Sequence, residues 1–364
     1  MKHKIKILLA MSGGVDSSVA ALLLKKQGCE VIGAFMVNWS DTKNKITGEC
    51  SWREEKRIAM KIAAKLEIKF ITLNFEKLYK KEVVDVMFKN YQKGITPNPD
   101  IDCNNKIKFP LLIKKAKELG CDFVATGHYA RIKNNKGNGY ELLRAKDELK
   151  DQSYFLYRIK QNELKNILFP IGNYPKKEIR EIAKKNKFPN YNKKGTVGIC
   201  FIGKINLKEF LKKRIKQKKG IILDPNGNKI GEHDGIYYYT IGQRIGPRFG
   251  IEISKPEKMQ KKWYVARKIP NKNIIIAAPE NHPLNFRKEI IIKNPHWINE
   301  KPKNNTEVLS RIRQVGELLP SALIYNKNKI KIILKKAITG VSQGQAIVLY
   351  RGTKCLGGGE ISFS

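Results

Sequence analysis

The run Lys4-Ile5-Lys6-Ile7-Leu8-Leu9-Ala10-Met11-Ser12-Gly13-Gly14-Val15-Asp16-Ser17-Ser18 decides the fold. Its first half is a short run rich in Ile and Leu, which reads as a buried strand. Its centre is a Gly-rich turn, and from Ser17 to Lys26 apolar residues recur at helical spacing. Working outward, Val31 to Val37 reads as a second buried strand, Glu54 to Leu66 as an amphipathic helix and Phe70 to Leu73 as a third strand. Phe109 to Leu119 reads as a helix leading into a strand over Phe123 to Thr126. Strands alternating with helices predict an α/β unit with a parallel, doubly wound sheet. Ligands of such sheets bind beyond the carboxyl ends of the strands, where the Ser12 loop falls.

Further along, Gln161 to Lys187 reads as a second helical stretch, and Asn190 to Gly203 as a mobile polar loop. From Gly220 the texture changes to short β-like runs at Ile221 to Leu223, Gly235 to Thr240, Trp263 to Ile269 and Ile274 to Ala277, which predict a small β-rich domain. Beyond His282, turn-separated runs at Glu289 to Ile292, Glu307 to Arg313, Ser321 to Tyr325, Lys329 to Leu334, Ala346 to Tyr350 and Gly358 to Phe363 predict a C-terminal β-barrel or sandwich. The expected division is 1–205, 206–280 and 281–364.

A chain of 364 residues with 41% hydrophobic content suits several cores. No run approaches the roughly 20 apolar residues of a membrane span, so a soluble, cytoplasmic protein is expected. The six cysteines stand far apart without a CxxC pair, which signals neither a zinc site nor a disulfide scaffold and leaves catalytic chemistry. Cys29, Cys121 and Cys355 read as small buried hydrophobes. Lys and Arg number 72 against 33 acids, a net charge of +39 that suits a polyanionic partner such as nucleic acid. Lysine dominates that excess and is spread along the whole chain beside much Asn and Ile, as an AT-rich genome would produce. RNA binding therefore needs separate support.

In SGGVDSS the paired glycines allow positive φ, so successive backbone N–H groups can turn toward one anion and the following helix adds its dipole. The run lacks the Gly-Lys-Ser/Thr ending of a Walker loop and the GxGxxG of a dinucleotide turn. It resembles the PP-loop of the ATP pyrophosphatases, which transfer AMP from ATP to a substrate oxygen. That resemblance implies ATP as cosubstrate, with Mg²⁺ near Asp16. Asp16 also reads simply as an acidic residue in a helix first turn.

Two further runs place a cysteine in a loop: Thr96-Pro97-Asn98-Pro99-Asp100-Ile101-Asp102-Cys103-Asn104, whose prolines predict a rigid, non-helical segment, and Gly198-Ile199-Cys200-Phe201-Ile202-Gly203, whose glycines predict mobility. A thiolate in the first would be disfavoured by Asp100 and Asp102 and favoured by Lys106 and Lys108. Together with FMVNW (35–39), ATGHYAR (125–131), KDQSYFLY (150–157), IGQR (241–244) and the ending CLGGGEI, these runs closely resemble tRNA-specific 2-thiouridylases, over Lys4 to Ile361.

The resemblance implies 2-thiolation of the wobble uridine of certain tRNAs. Ala10, Met11, Ser12, Gly13, Gly14, Val15, Asp16, Ser17, Met36 and Gly127 would bind ATP. Asn98, Pro99 and Asp100 would face the target base, with Asp100 also a candidate proton acceptor. Cys200 would carry sulfur as a persulfide received from a sulfur carrier or cysteine desulfurase system. Cys103 would be the partner thiol, and the pair would end each cycle as a disulfide. His128, Lys150, Asp151, Gln152, Arg311, Ile312 and Gln345 would contact tRNA. A monomer is expected.

The chain departs from the family's usual pattern at Gly195 and Val197, where an acid and a hydroxyl are replaced, at Ala10 in place of Gly, and at Asn105 in place of Lys, with Lys106 one residue along. Thr196 keeps one hydroxyl. Two other readings follow from the residues alone. A different PP-loop ligase would share Ser12 to Ser17 without needing the cysteines, and a tRNA-binding homologue whose activity has decayed would bind RNA without releasing pyrophosphate.

Overall fold

The computed structural model of the chain describes residues 4–41, 50–137, 139–193, 195, 198–203, 205–246, 261–314, 316–326 and 329–363. Lys194, Thr196 and Val197 lie outside the described residues.

Strand Lys6–Ala10 is the centre of a five-stranded parallel sheet. Its order is Lys69–Asn74, Glu30–Val37, Lys6–Ala10, Phe123–Ala125, Ile167–Leu168. Leu8 packs with Ile32, Ala34, Met36 and Val124 on one face, while Ile7 and Leu9 pack with Val31, Phe35 and Ala125 on the other. Burial on both faces is why these strands read as unbroken apolar runs. Helix Val15–Lys26 follows the first strand, and Ser51–Lys65 bridges the second and third. The chain leaves the first strand toward one sheet edge and returns on its other side at Phe123–Ala125. That reversal opens a crevice at the strands' carboxyl ends.

The second sheet runs Arg244–Ile245, Trp263–Ile269, Ile274–Pro279, Gly220–Leu223, Lys229–His233. The third is a closed six-stranded barrel of Phe286–Trp297, Lys329–Thr339, Leu319–Asn326, Thr306–Arg311, Ala346–Arg351 and Lys354–Ser362, the last strand pairing back onto the first. A hairpin from the first part of the chain, Ala130–Asn134 and Tyr140–Arg144, joins the barrel sheet through Lys354 opposite Leu143.

The structure corrects four local expectations. Gln161 to Lys187 is not one helix: Gln161–Leu164 is a single turn, Ile167–Leu168 an edge strand and Lys176–Lys185 a helix packed near Val15–Lys26. Gly235 to Thr240 holds a 3₁₀ turn at Ile236–Tyr238, since Gly235 at φ 151° breaks the extended run. The segment Thr96 to Asn104 is partly helical: Pro99–Asp102 is an α-turn that passes into a π-helical turn, Cys103–Lys108. Pro99 stands at the first helical position, where its missing N–H costs nothing, and Asn98 caps the turn by accepting from Ile101 N at 3.4 Å. Finally, Cys29 and Cys121 are half-buried at the core's margin, whereas Cys355 is buried.

Candidate active site

The Gly-rich loop joins the central strand to its helix. Gly13 has φ 74°, and a Cβ there would meet the Glu55 carbonyl oxygen at 2.2 Å, so only glycine fits. Ser12 Oγ accepts from Gly14 N, and the Ser17 and Ser18 hydroxyls both donate to Gly14 O, folding the loop tightly over the helix start. No side chain caps that helix at Gly14, which leaves its N-terminal N–H groups to an anion. A Cβ on Gly127 would stand 2.7 Å from Ser17 N, so the carboxyl end of Phe123–Ala125 closes directly against the loop. Ser12 is exposed, Gly14 and Asp16 are half-buried, and Ala10 stands at the strand end, where polyphosphate could lie. Met11, Val15 and Met36 are buried in the core, so any contact they make with a nucleotide is through main chain.

Asp16 Oδ1 accepts from the Lys176 ammonium at 2.6 Å and from the Tyr129 hydroxyl at 2.8 Å. Among the described residues no cluster of three or more His, Cys, Asp or Glu could hold a metal. One carboxylate beside a phosphate loop still fits Mg²⁺, which takes its remaining oxygens from substrate phosphates and water.

The cysteine pocket lies on the other face of the sheet. Cys103, fully buried, opens the π-helical turn, and its Sγ stands 3.9 Å from Cys200 Sγ across 97 residues of sequence, both thiols being free. Asp100 Oδ1 accepts from Cys200 N at 2.8 Å, and the Tyr79 hydroxyl donates to Cys200 O. Lys108, at the end of the same π turn, places Nζ 3.8 Å from Cys200 Sγ and 3.3 Å from His128 Nε2. A π turn carries one residue more per turn than an α-helix, and such turns recur at functional sites. Burial pushes the Cys103 thiol well up, whereas the hydrogen bond from Cys103 and the charge of Lys108 outweigh burial and hold the Cys200 thiol below its ordinary value. Burial also raises the Asp100 carboxyl, opposed by its bond from Cys200 N and by Lys108. Lys106 does not contribute to this pocket as expected. It pairs with Asp102 at 3.2 Å, and both line a cavity of about 250 Å³ together with Asn98, Arg158, Lys293 and Glu360, between the first sheet unit and the barrel.

Three family profiles match in succession: a tRNA methyl transferase HUP domain over residues 5–204, a tRNA methyl transferase PRC-barrel domain over 208–279 and an aminomethyltransferase beta-barrel domain over 287–361. A tRNA-specific 2-thiouridylase MnmA 2 of Aliarcobacter butzleri is 41% identical over 369 residues, covering 100% of both chains. A tRNA-specific 2-thiouridylase MnmA of Ruthia magnifica is 41% identical, covering 100% of this chain and 99% of its own, and one of Bacillus cytotoxicus is 39% identical, covering 99% and 95%. The chain belongs to the tRNA-specific 2-thiouridylase family.

Within this 2-thiouridylase the residues expected at tRNA divide into two groups. Lys150 is exposed. Asp151 and Arg311 are buried, 1% and 3% exposed, and ion-paired to each other at 2.6 Å. Taking either side chain to a phosphate would break that buried pair. Ile312 is likewise buried, and its carbonyl accepts from Tyr154 Oη. Gln152, half-buried, accepts from Tyr129 N at 2.9 Å. Gln345 donates to Thr96 O at 3.0 Å and Pro97 O at 2.8 Å, so it holds the segment that carries Asn98, Pro99 and Asp100. His128 stands half-buried in the cysteine pocket between Thr126 and Lys108.

Sequence reasoning missed Lys176, Tyr79 and Asn38. Asn38 follows the second strand at its carboxyl end, is 1% exposed, and has no hydrogen-bond partner for either amide atom among the described residues. Nothing in sequence marks Lys176 or Tyr79, because their partners lie 160 and 121 residues away. Asn38 within FMVNW did carry a signal, since a polar residue closing an apolar strand sits where such sheets bind ligands.

Proposed function

We propose that this tRNA-uridine 2-sulfurtransferase adenylates the C2 oxygen of a wobble uridine and then replaces that oxygen with sulfur carried on Cys200. The observation carrying the reading is the meeting of Cys103 and Cys200 at 3.9 Å on the segment that also presents Asn98 and Asp100. The Ser12 to Ser17 loop holds ATP by its backbone N–H groups, with Lys176 and Asp16 at the polyphosphate. Asp16 would hold Mg²⁺, which when bound would supply charge neutralisation for the polyphosphate.

Loading comes first. Cys200, the more acidic thiol, attacks the outer sulfur of a donor persulfide; the donor S–S bond breaks, and the donor leaves as a thiolate. The uridine C2 oxygen attacks the α-phosphorus of ATP, and pyrophosphate departs. Sulfur then adds to C2 and AMP leaves with the original oxygen. Two routes deliver that sulfur. In one, Cys103 attacks Cys200 Sγ and releases hydrosulfide. In the other, the outer sulfur of the persulfide attacks C2 directly and Cys103 then breaks the remaining S–S bond. Both end with a Cys103 to Cys200 disulfide, which a two-electron reductant reopens. Asp100, with its raised carboxyl, is the acceptor for the Cys103 proton.

Around the cavity beside Asn98, Asp102 and Glu360 pair with Lys106 and Arg158, so Lys293 and the net charge of +39 supply the positive field for an RNA backbone. The further parts of the reading are a persulfide carrier or cysteine desulfurase system as partner, a monomer, and a cytoplasmic setting. The functional division is 1–205 for chemistry, 206–280 as a central unit and 281–364 as a tRNA-facing barrel. No helix among the described residues is long and apolar enough to cross a membrane.

The test is incubation of the protein with ATP, a persulfide donor and unmodified tRNA, followed by nucleoside mass spectrometry. 2-Thiouridine should appear with wild type and vanish with Cys200→Ser. 2-Thiouridine surviving in that variant would overturn the role of Cys200, pyrophosphate release without any 2-thiouridine would favour another PP-loop reaction, and tRNA binding without pyrophosphate release would mark a decayed enzyme.

A further inference from the structure

Lys108 is buried at the end of the π-helical turn, with 9% exposure. A lysine taken out of water is costly unless an anion compensates it. No carboxylate pairs with it directly: among the described residues Lys108 has no ion pair, and Asp100, whose charge it feels at longer range, commits Oδ1 to Cys200 N. The anion-forming atom in reach is Cys200 Sγ at 3.8 Å, with the Phe201 ring 5.6 Å from Nζ on another side.

We propose that Lys108 is the catalytic cation that keeps the Cys200 sulfur ionised, and that His128 is the positioning residue that holds it there. The inference rests on Cys200 being the sulfur-carrying residue. An ammonium facing His128 Nε2 at 3.3 Å requires a lone pair on that nitrogen, so the imidazole is neutral and carries its proton on Nδ1, where it is donated to Thr126 Oγ1 at 2.7 Å. Phe109 and Phe169 pack on the ring at 5.8 and 6.0 Å and fix its plane. Burial together with Lys108 drives the imidazole far below its ordinary pKa, which keeps the lone pair available at any working pH.

On the sulfur side, Cys200 Sγ has two donors, the Cys103 thiol and the Lys108 ammonium. The other titratable groups facing the pair are Asp100, which opposes a thiolate, and Tyr79, whose phenol burial keeps neutral. The two cysteines are thereby made unequal: Cys103 stays protonated while Cys200 loses its proton to solvent and Lys108 keeps its own. The same cation would neutralise the persulfide anion after loading. Thr126 and His128 flank Gly127, which packs on Ser17 of the Gly-rich loop, so the cation's support is anchored where nucleotide would bind.

The test uses the full chain without ATP or tRNA. Alkylation of Cys200 by iodoacetamide is followed against pH, with the Cys200 peptide quantified by mass spectrometry. Lys108→Met should raise the midpoint by at least about one pH unit, a roughly tenfold loss of thiolate below it, while Lys108→Arg stays near wild type. His128→Ala should raise it less, and His128→Gln, whose amide oxygen can accept, should restore it. Lys108→Gln, polar and neutral, replaces Lys108→Met if circular dichroism shows that variant unfolded. A wild-type midpoint in the neutral variants would overturn the role of Lys108, and one in His128→Ala that of His128. Because no thiolation is measured, shifted midpoints with no 2-thiouridine from wild type would refute only the reaction proposed above.

Discussion

Arg311 and Asp151 offer a perturbation whose result separates an RNA contact from an internal clamp. The Arg311 guanidinium meets Asp151 Oδ2 at 2.6 Å, with the two side chains 3% and 0% exposed. The pair joins the barrel strand Thr306–Arg311 to the KDQSYFLY segment. Asp151 also accepts from Ala145 N at 2.9 Å, Ser153 N at 3.3 Å and Ser153 Oγ at 2.8 Å, and Arg144 Nε stands 3.9 Å away. Removing one partner of a buried pair typically costs 3–5 kcal/mol, because the other charge is left uncompensated. Here three donors and Arg144 remain around the carboxylate, so Arg311→Met should sit at the low end, about 3 kcal/mol. Asp151→Asn, which strands the guanidinium with fewer alternatives, should cost at least as much. Combining the two should recover about 2–3 kcal/mol of the summed loss as coupling.

The assay is urea unfolding of the four proteins by tryptophan fluorescence, with tRNA affinity measured in parallel over a range of salt. A clamp loses stability and leaves the slope of log K against log salt unchanged. A phosphate contact does the opposite, lowering the slope by about 1. An Arg311→Met protein with a wild-type urea midpoint and a reduced slope would refute the clamp and return Arg311 to the RNA surface.

Four further outcomes are expected. Gln345→Leu removes both donors to Thr96 O and Pro97 O and should lower kcat/KM for tRNA about tenfold, equivalent to ~1.4 kcal/mol; unchanged kinetics would show that the segment holds its own shape. Asn38→Leu should stabilise the protein by about 1–3 kcal/mol, since it removes a buried amide with no partner, yet reduce ATP-dependent pyrophosphate release; a stabilised variant of full activity would deny Asn38 any ligand. Gly13→Ala should cut pyrophosphate release at least about tenfold, because alanine resists φ 74° and its Cβ strikes Glu55 O. Burial pushes the Lys268 ammonium down to about 7 from 10.5, so between those values the unfolded chain binds a proton the folded one has released, and stability should climb with pH across that window. Lys268→Met should flatten the climb in thermal unfolding from pH 6.5 to 10, and an equal slope in both proteins would count against it.

The parts of this molecule that were legible in sequence are those whose physics is local. Lys6–Ala10, Glu30–Val37 and the helix between them are buried enough for periodicity to show them. The helical path from Glu76–Tyr79 through the π turn Lys80–Val84 to Asp85–Gln92 was missed because the inserted residue breaks the 3.6-residue repeat. The hairpin Ala130–Asn134 with Tyr140–Arg144 is polar and short, and its partner strand begins at Lys354. In the candidate site, Gly13 and the two cysteines announced themselves through motif and residue type. The Arg311–Asp151 pair, the Lys176–Asp16 bond and the approach of Lys108 to Cys200 did not, since each closes over 92 residues or more.

Other long-range contacts converge on the segment 96–104, which is held from both sides. The barrel holds one end: Gln343 O accepts from Thr96 N at 3.1 Å, Gln345 grips Thr96 O and Pro97 O, and a Cβ on Gly344 would strike Ile95 at 2.3 Å. The loop that carries Cys200 meets the other end, where Asp100 receives Cys200 N and Cys103 faces Cys200. The glycines of Gly198 to Gly203 suggest freedom, but Tyr79 and Asp100 fix the main chain of Cys200 on both its N–H and its C=O. Sulfur transfer needs two sulfurs and one carbon aligned to within a fraction of an ångström. A short helical turn begun by proline, capped by asparagine and clamped by the barrel can supply that alignment, whereas a free loop carrying the same cysteine could not.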